Sequence, residues 1–382
     1  MAGLHHPFSS QGLLDPYPAL AAYRRINPAF HDRGMNMWLL TGYDLCRAAL
    51  RDAAFSAAAG QAQRARDDAL PVSMLNTDGG RHHRLRTPAA GAFSARAISR
   101  MSDDLELVAL ELLDRLASTE VDVVTDIAAP YTEKVLGRLL GLEPEHWTEL
   151  GRLARSAAAN LNPMVRGEEA ARARHASEQL TTFLRKHSKR LRSGECPRDL
   201  AGLSITADLD EAERLGIFSL TVIGGYEPLA AGISTTLNML LQQPAVLEEL
   251  RAQPELMAGA VDESLRLESP IPFTARVCTT DFSDGRSELP AGAAVLVMVG
   301  AANRDPRVFD DPDTFDLHRS PNPHLALGGA AHFCLGAPLV RQSTAILLNA
   351  ILAGHPQLAG TEPPAWRKSM VPRGLARLPI RW

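Results

Sequence analysis

Cys334 is the side chain whose type and setting point most directly to chemistry. It closes a Gly/Ala-rich loop, Leu327-Gly328-Gly329-Ala330-Ala331-His332-Phe333-Cys334-Leu335-Gly336-Ala337-Pro338-Leu339-Val340-Arg341, and an apolar helical pattern to about Leu352 begins directly after it. A helix N-terminus offers unpaired N–H groups and the positive end of its dipole, so this placement suits a buried thiolate. Gly328, Gly329 and Gly336 lack a Cβ and let the backbone approach a flat ligand closely. Pro338 falls in the first turn, where a missing N–H costs little. Without these neighbours, a cysteine before a helix reads as a small buried hydrophobe.

Three other groupings carry charge or an anomaly. Asp78-Gly79-Gly80-Arg81-His82-His83-Arg84-Leu85-Arg86 is a basic turn leading into a helix through Phe93, with His82 and Arg86 at i and i+4 on one face. By itself it reads equally as a solvated charged face. Gly224-Gly225-Tyr226-Glu227-Pro228-Leu229 stands in the middle of the longest helical pattern. A proline there removes a helix hydrogen bond and clashes with the carbonyl of Gly224, at about 3 kcal/mol in an ordinary helix, and a kink or break is the plain reading. Glu263-Ser264-Leu265-Arg266 places an acid and a base at i, i+3.

In this order the segments resemble the cytochrome P450 superfamily, whose ligand loop reads Phe-Gly-x-Gly-x-His-x-Cys-x-Gly. The resemblance implies a mainly α protein with small β-sheets, one domain over residues 1–382, and haem b held between the long central helix and the loop. Cys334 is then the axial ligand of the haem iron, pushing electron density toward O–O cleavage. Gly328, His332, Phe333 and Gly336 follow the motif. Leu327 replaces its Phe and Ala330 its second Gly, with Gly329 expected to take over that backbone role. His82 and Arg86 match the family's His-x-x-x-Arg, and with Arg276 and His332 they are expected to hold the two haem propionates. Gly224, Gly225 and Glu227 match a small-Gly-x-acid segment that gives O2 and substrate room and delivers protons, but Pro228 stands where a proton-relaying threonine is usual. Glu263 and Arg266 match a Glu-x-x-Arg pair, with Arg319 as third member, whose loss should damage folding and haem retention.

The activity so implied is that of a monooxygenase oxidising a small organic substrate, in natural-product biosynthesis. No flavin or iron-sulfur segment appears, so electrons are expected from a ferredoxin and its NAD(P)H-dependent reductase, or from peroxide. Pro228 leaves open non-insertive oxidation, such as radical coupling or ring formation. A haem protein that binds a ligand without turning it over is a third reading. Pocket walls are expected from residues 56–76 and 220–229, from Pro270 to Thr274, and from Met370 and Val371.

The elements that must position these groups follow from the whole chain. Its 382 residues are 45% hydrophobic and 22% charged with a formal net charge of -4, which makes no electrostatic case for nucleic acid. The N-terminal stretch lacks a signal-peptide apolar run, and no stretch of about 18 consecutive apolar residues occurs, so a cytoplasmic protein without a membrane span is expected. Cys46, Cys196, Cys278 and Cys334 are too widely spaced for a disulfide framework or zinc knuckle. Helical patterns cover roughly 15–25, 43–51, 81–93, 102–117, 126–141, 145–160, 168–192, 209–241, 244–253 and 254–267. The helix over 209–241 extends about 50 Å, enough to cross the domain. Strands are expected at 37–40, 121–124, 271–278 and 293–299, with a terminal hairpin around Arg373-Gly374 and a long loop over 56–76.

Overall fold

The computed structural model describes residues 4–59, 72–116, 118–162, 164–191 and 208–382. The helices that frame the site are α1 (Tyr17–Ile26), α2 (Gly79–Ala90), α3 (Ser102–Asp114), α4 (Ala129–Leu140), α5 (Trp147–Ala157), α6 (Gly167–Leu191), α7 (Glu211–Leu241), α8 (Met257–Leu267) and α9 (Ala337–Gly354). Helix α7 is the axis around which α4, α5, α6, α8 and α9 pack. It starts at a capping box: the Asp210 carboxylate accepts from Glu213 N at 2.8 Å, and the Glu213 carboxylate accepts from Asp210 N at 3.1 Å. Beyond that turn its buried sides are mainly apolar, from Leu215 and Phe218 to Ile233 and Leu237, as expected of a helix enclosed by others. It is long and apolar enough to cross a membrane, yet 72% of its apolar window is buried inside the protein. The helix runs on through Pro228 without a break.

A five-stranded sheet has the order β1-β2-β8-β5-β3, built from Ala29–Asp32, Met37–Leu40, Ala294–Val297, Thr274–Cys278 and Phe55–Ser56. Only β2 and β8 pair in parallel; the other neighbours are antiparallel. The strand expected over 121–124 ends at Asp122, whose side chain accepts from Val124 N, and a π-helical run Val123–Ala128 leads into α4.

The chain end departs from the expected hairpin. Strands β11 (Leu375–Arg377) and β12 (Pro379–Arg381) do not pair with each other. β11 joins β10 (Ala365–Trp366), while β12 lies between β4 (Glu120–Asp122) and β9 (Ala359–Gly360). The reason lies in the two residues taken for a turn. Arg373 is buried, with Nε 2.6 Å from Glu268 Oε2 and its Nη groups donating to the carbonyls of Leu13 and Leu14. Gly374 is pressed onto α7 so closely that a Cβ there would sit 2.6 Å from Ala231 Cβ.

Glu263, Arg266 and Arg319 meet in one charge cluster. Arg266 and Glu263 are fully buried and meet in a fork of 2.8 and 2.7 Å, and Arg319 Nε reaches the same carboxylate at 3.0 Å.

Candidate active site

The ligand loop folds back on itself through Cys334 N, which donates to Leu327 O at 2.7 Å. Gly328 makes the turn with φ +74, where a Cβ would meet the His332 carbonyl at 3.0 Å. Ala330 also has a positive φ, 49. Gly329 is extended instead and does not replace the missing glycine; Ala330 occupies the left-handed conformation itself. An L-residue there is strained by about 1–2 kcal/mol, and the added freedom of glycine in the unfolded chain returns about 0.4–1 kcal/mol. Ala330→Gly is therefore expected to raise stability by about 0.5–1 kcal/mol, read as a higher Tm. An unchanged or lower Tm contradicts this.

Cys334 faces a cavity of about 320 Å³ between the loop and α7. Burial pushes its thiol pKa up, against the N–H groups of Gly336 and Ala337 and the charges of Arg86 and Arg341. A coordinated metal deprotonates its thiol ligand directly, and the N–H groups of Gly336 and Ala337 then face the sulfur. Cys46 and Cys278 are buried and free, with thiol pKa values also raised by burial.

One side of the cavity is cationic. Arg86, Arg276 and His332 line it. Arg86 Nη2 donates to Phe333 O at 2.5 Å, and Arg276 Nη1 to Thr274 Oγ1 and Ala275 O at 2.9 and 2.8 Å. His332 Nε2 lies 3.1 Å from Asp78 Oδ1, and Asp78 is itself fixed by Ser56 Oγ and Ala58 N. His82 is buried behind His332, ring centroids 4.4 Å apart, and its Nε2 has no partner. Its pKa is pushed down to about 4, first by burial and then by His332 and Arg86. Four crowded basic groups, one with an orphaned ring nitrogen, fit a ligand that brings carboxylates of its own. A single thiol facing an apolar cavity suits an iron carried in a macrocycle. Haem meets these requirements: an apolar slot, a thiol on one face and cations at the edge.

The opposite wall is α7. Thr221, Gly224, Gly225 and Pro228 share one helix face and all line the cavity. The two glycines do different work. A Cβ on Gly225 would lie 3.1 Å from Leu136 Cδ2, so it permits close packing against α4; one on Gly224 would meet only Leu220 Cδ1 at 3.8 Å, so glycine there keeps the cavity open. Met74 and Leu75, Pro270, Ile271, Phe273 and Thr274 also line it, as expected. Residues 60–71 of the expected loop lie outside the described residues. Met370 and Val371 are not in the lining; they pack with Phe273 in a neighbouring hydrophobic cluster, and Val371 lines a second, smaller cavity.

Glu227 faces away from this cavity. It lines a smaller one of about 160 Å³, open to solvent, together with Arg155, Asn162 and Arg367. Its carboxylate is buried and bonded to Arg367 Nη1, with Arg155 Nε at 3.8 Å from its other oxygen. Tyr226 OH accepts from Arg155 at 2.7 Å and donates to Glu133 at 3.2 Å. Arg155, Arg367 and Asp78 escape the sequence reading because their partners are set by tertiary packing. Asp78, placed just before two glycines, offers a faint helix-cap signal but none for His332.

Fold and site together define a haem-thiolate oxidoreductase. Residues 122–354 match the family model described as Cytochrome P450. The chain is 34% identical to the Nocardicin C N-oxygenase of Nocardia uniformis subsp. tsuyamanensis, over 99% of this chain and 98% of the relative. It is 33% identical to the cytochrome P450 monooxygenase PikC of Streptomyces venezuelae, over 96% and 91%. The solved structure of P450BioI, in complex with an acyl carrier protein ligated to hexadec-9Z-enoic acid, matches with a TM-score of 0.92 at 29% identity, over 98% and 99%. The chain belongs to the cytochrome P450 family. It is a monooxygenase of that family, and haem is its cofactor.

Proposed function

We propose that this enzyme uses haem b and O2 in the cytosol, with electrons from a ferredoxin and its NAD(P)H-dependent reductase, to oxidise a small organic intermediate of natural-product biosynthesis. The observation that carries this reading is the cavity itself, with Cys334 on one side and the Gly224–Pro228 face of α7 on the other. Bound haem supplies a thiolate-ligated iron that activates O2. Cys334 Sγ would hold the iron, and His82, Arg86, Arg276 and His332 would hold the propionates. Gly224 leaves room for the substrate, and the apolar lining excludes bulk water.

Proton supply falls to the wall between the two cavities. Glu227 takes protons from the solvent side, where Arg155 and Arg367 keep its carboxylate in place. Pro228 has no N–H, so the Gly224 carbonyl lacks its helical donor and is free to hold a water on the cavity side. General-acid delivery of this kind contributes roughly 10²–10⁴ in rate. Glu227→Gln is expected to slow turnover about 10²-fold with substrate affinity unchanged. Pro228→Thr is expected to raise uncoupled or ordinary hydroxylation without improving native turnover. Rates, products and electron coupling that stay at wild-type values in both variants remove this segment from proton delivery.

A second reading has a specific support: a proline ring lines the cavity where an alcohol is expected, which favours non-insertive oxidation such as ring closure or coupling. Candidate intermediates that perturb the haem spectrum, incubated with ferredoxin, reductase and NAD(P)H, separate the readings by mass. One added oxygen supports insertion, loss of two hydrogens supports the second reading, and an unchanged ligand sinks both.

A further inference from the structure

The substrate cavity is apolar nearly throughout, so each polar side chain in its lining calls for a partner. Among the described residues these are Arg86, Thr221, Thr274, Arg276, His332 and Cys334. Arg86, Arg276 and His332 belong to the cationic edge, and Cys334 to the metal face. Thr274 Oγ1 already accepts from Arg276 at 2.9 Å. Thr221 is left over.

Its hydroxyl is unusual within its own helix. Ser234, Thr235 and Thr236, further along α7, each turn the side chain back onto a carbonyl four residues earlier, at 3.0, 2.7 and 2.7 Å. That is the usual refuge of a hydroxyl in a buried helix. Thr221 makes no such bond and opens onto the cavity. The helix face on the cavity thus offers one hydroxyl, donor or acceptor, with no partner of its own among the described residues.

Resting on the reading of this cavity as a substrate site, we infer that Thr221 forms a polar subsite that selects substrates bearing a hydroxyl or amide group on an otherwise apolar body. The substrate group pairs with Thr221 Oγ1, and the Gly224 carbonyl, about one turn further on, is left to the relay water. Met74, Leu75, Leu220, Leu229, Ile271 and Phe273 enclose the remainder. Pockets of this composition take orientation from a few polar contacts and affinity from the apolar wall. Thr221 is a specificity residue here and has no part in the oxidation step.

Calorimetric titration of the haem-loaded enzyme tests this with 4-phenylcyclohexanol, its methyl ether and phenylcyclohexane. The wild type is expected to bind the alcohol about tenfold more tightly than the hydrocarbon, as a hydrogen bond in a dry site allows. Thr221→Val should reduce that ratio to about twofold, Thr221→Ser should restore it, and Thr274→Val should leave it intact. A wild type that binds neither compound, or both alike, overturns the subsite, as does a Thr221→Val enzyme that keeps the preference. The ether, which can still accept from Thr221, should bind more tightly than the hydrocarbon in the wild type and lose that preference in Thr221→Val; a preference that survives Thr221→Val overturns the subsite. Turnover is measured separately, so selective binding without any oxidised product upholds this inference while sinking the oxidation reading.

Discussion

Truncating Glu263 to Ala is expected to destabilise the protein by about 3–5 kcal/mol, because it strands two guanidinium groups in the interior. Arg266 is fully buried, and all five of its N–H groups are used: two on Glu263 and three on the carbonyls of Asn303, Pro312 and Thr314. The Glu263 carboxylate also accepts from Arg319 Nε, Asp316 N and Asn322 Nδ2. One ion triad therefore fastens α8 to the segment between Asn303 and Asn322. Arg266→Ala and Arg319→Ala should each lose stability on the same scale, and pairs of these changes should cost less than their sum. By contrast, the surface pair Arg377–Glu362 is equally short at 2.7 Å but about half exposed, so Arg377→Ala should cost under about 1 kcal/mol. Urea unfolding, with haem retention followed in parallel, measures all four. Equal, small losses would show that the triad is not one buried unit.

Replacing Cys334 by Ser is expected to abolish the red-shifted Soret band of the reduced carbon monoxide complex and with it the oxidation. The substitution changes little else. The loop bond from residue 334 N to Leu327 O is made by the backbone, and the N–H groups of Gly336 and Ala337 remain to receive an oxygen in place of sulfur. The loss therefore belongs to the sulfur as electron donor, since a neutral hydroxyl is a far weaker ligand than a thiolate. Retention of the band in Cys334→Ser excludes this ligation.

The parts of the site legible in the sequence are those whose members are close in the chain. Cys334 with its glycines, His82 with Arg86, and Glu263 with Arg266 each lie within a turn or two, so helix and loop geometry bring them together before any tertiary packing. Arg319 and Arg276 were reached through the family pattern alone. The side chains that complete the site come from elsewhere: Asp78 orients His332, and Arg155 and Arg367 hold Glu227. Nothing near those residues encodes the contact. Position within a helix also left direction unsettled, since Glu227 and Pro228 are neighbours yet face different cavities. The terminal hairpin failed for a related reason. Arg373-Gly374 has the composition of an exposed turn, but a buried carboxylate, Glu268, and a close approach to Ala231 set its conformation.

That tail also bears on when the haem cavity can form. Arg373 N donates to Pro270 O at 2.8 Å, its side chain reaches Leu13 and Leu14, and Pro379–Arg381 supplies the strand that Glu120–Asp122 needs as partner. Contacts between segments this far apart in sequence carry a large loop-closure cost, so they form after the local helices. Haem is therefore expected to bind only once the 373–381 segment has docked, and in refolding its absorbance should return later than the helix signal.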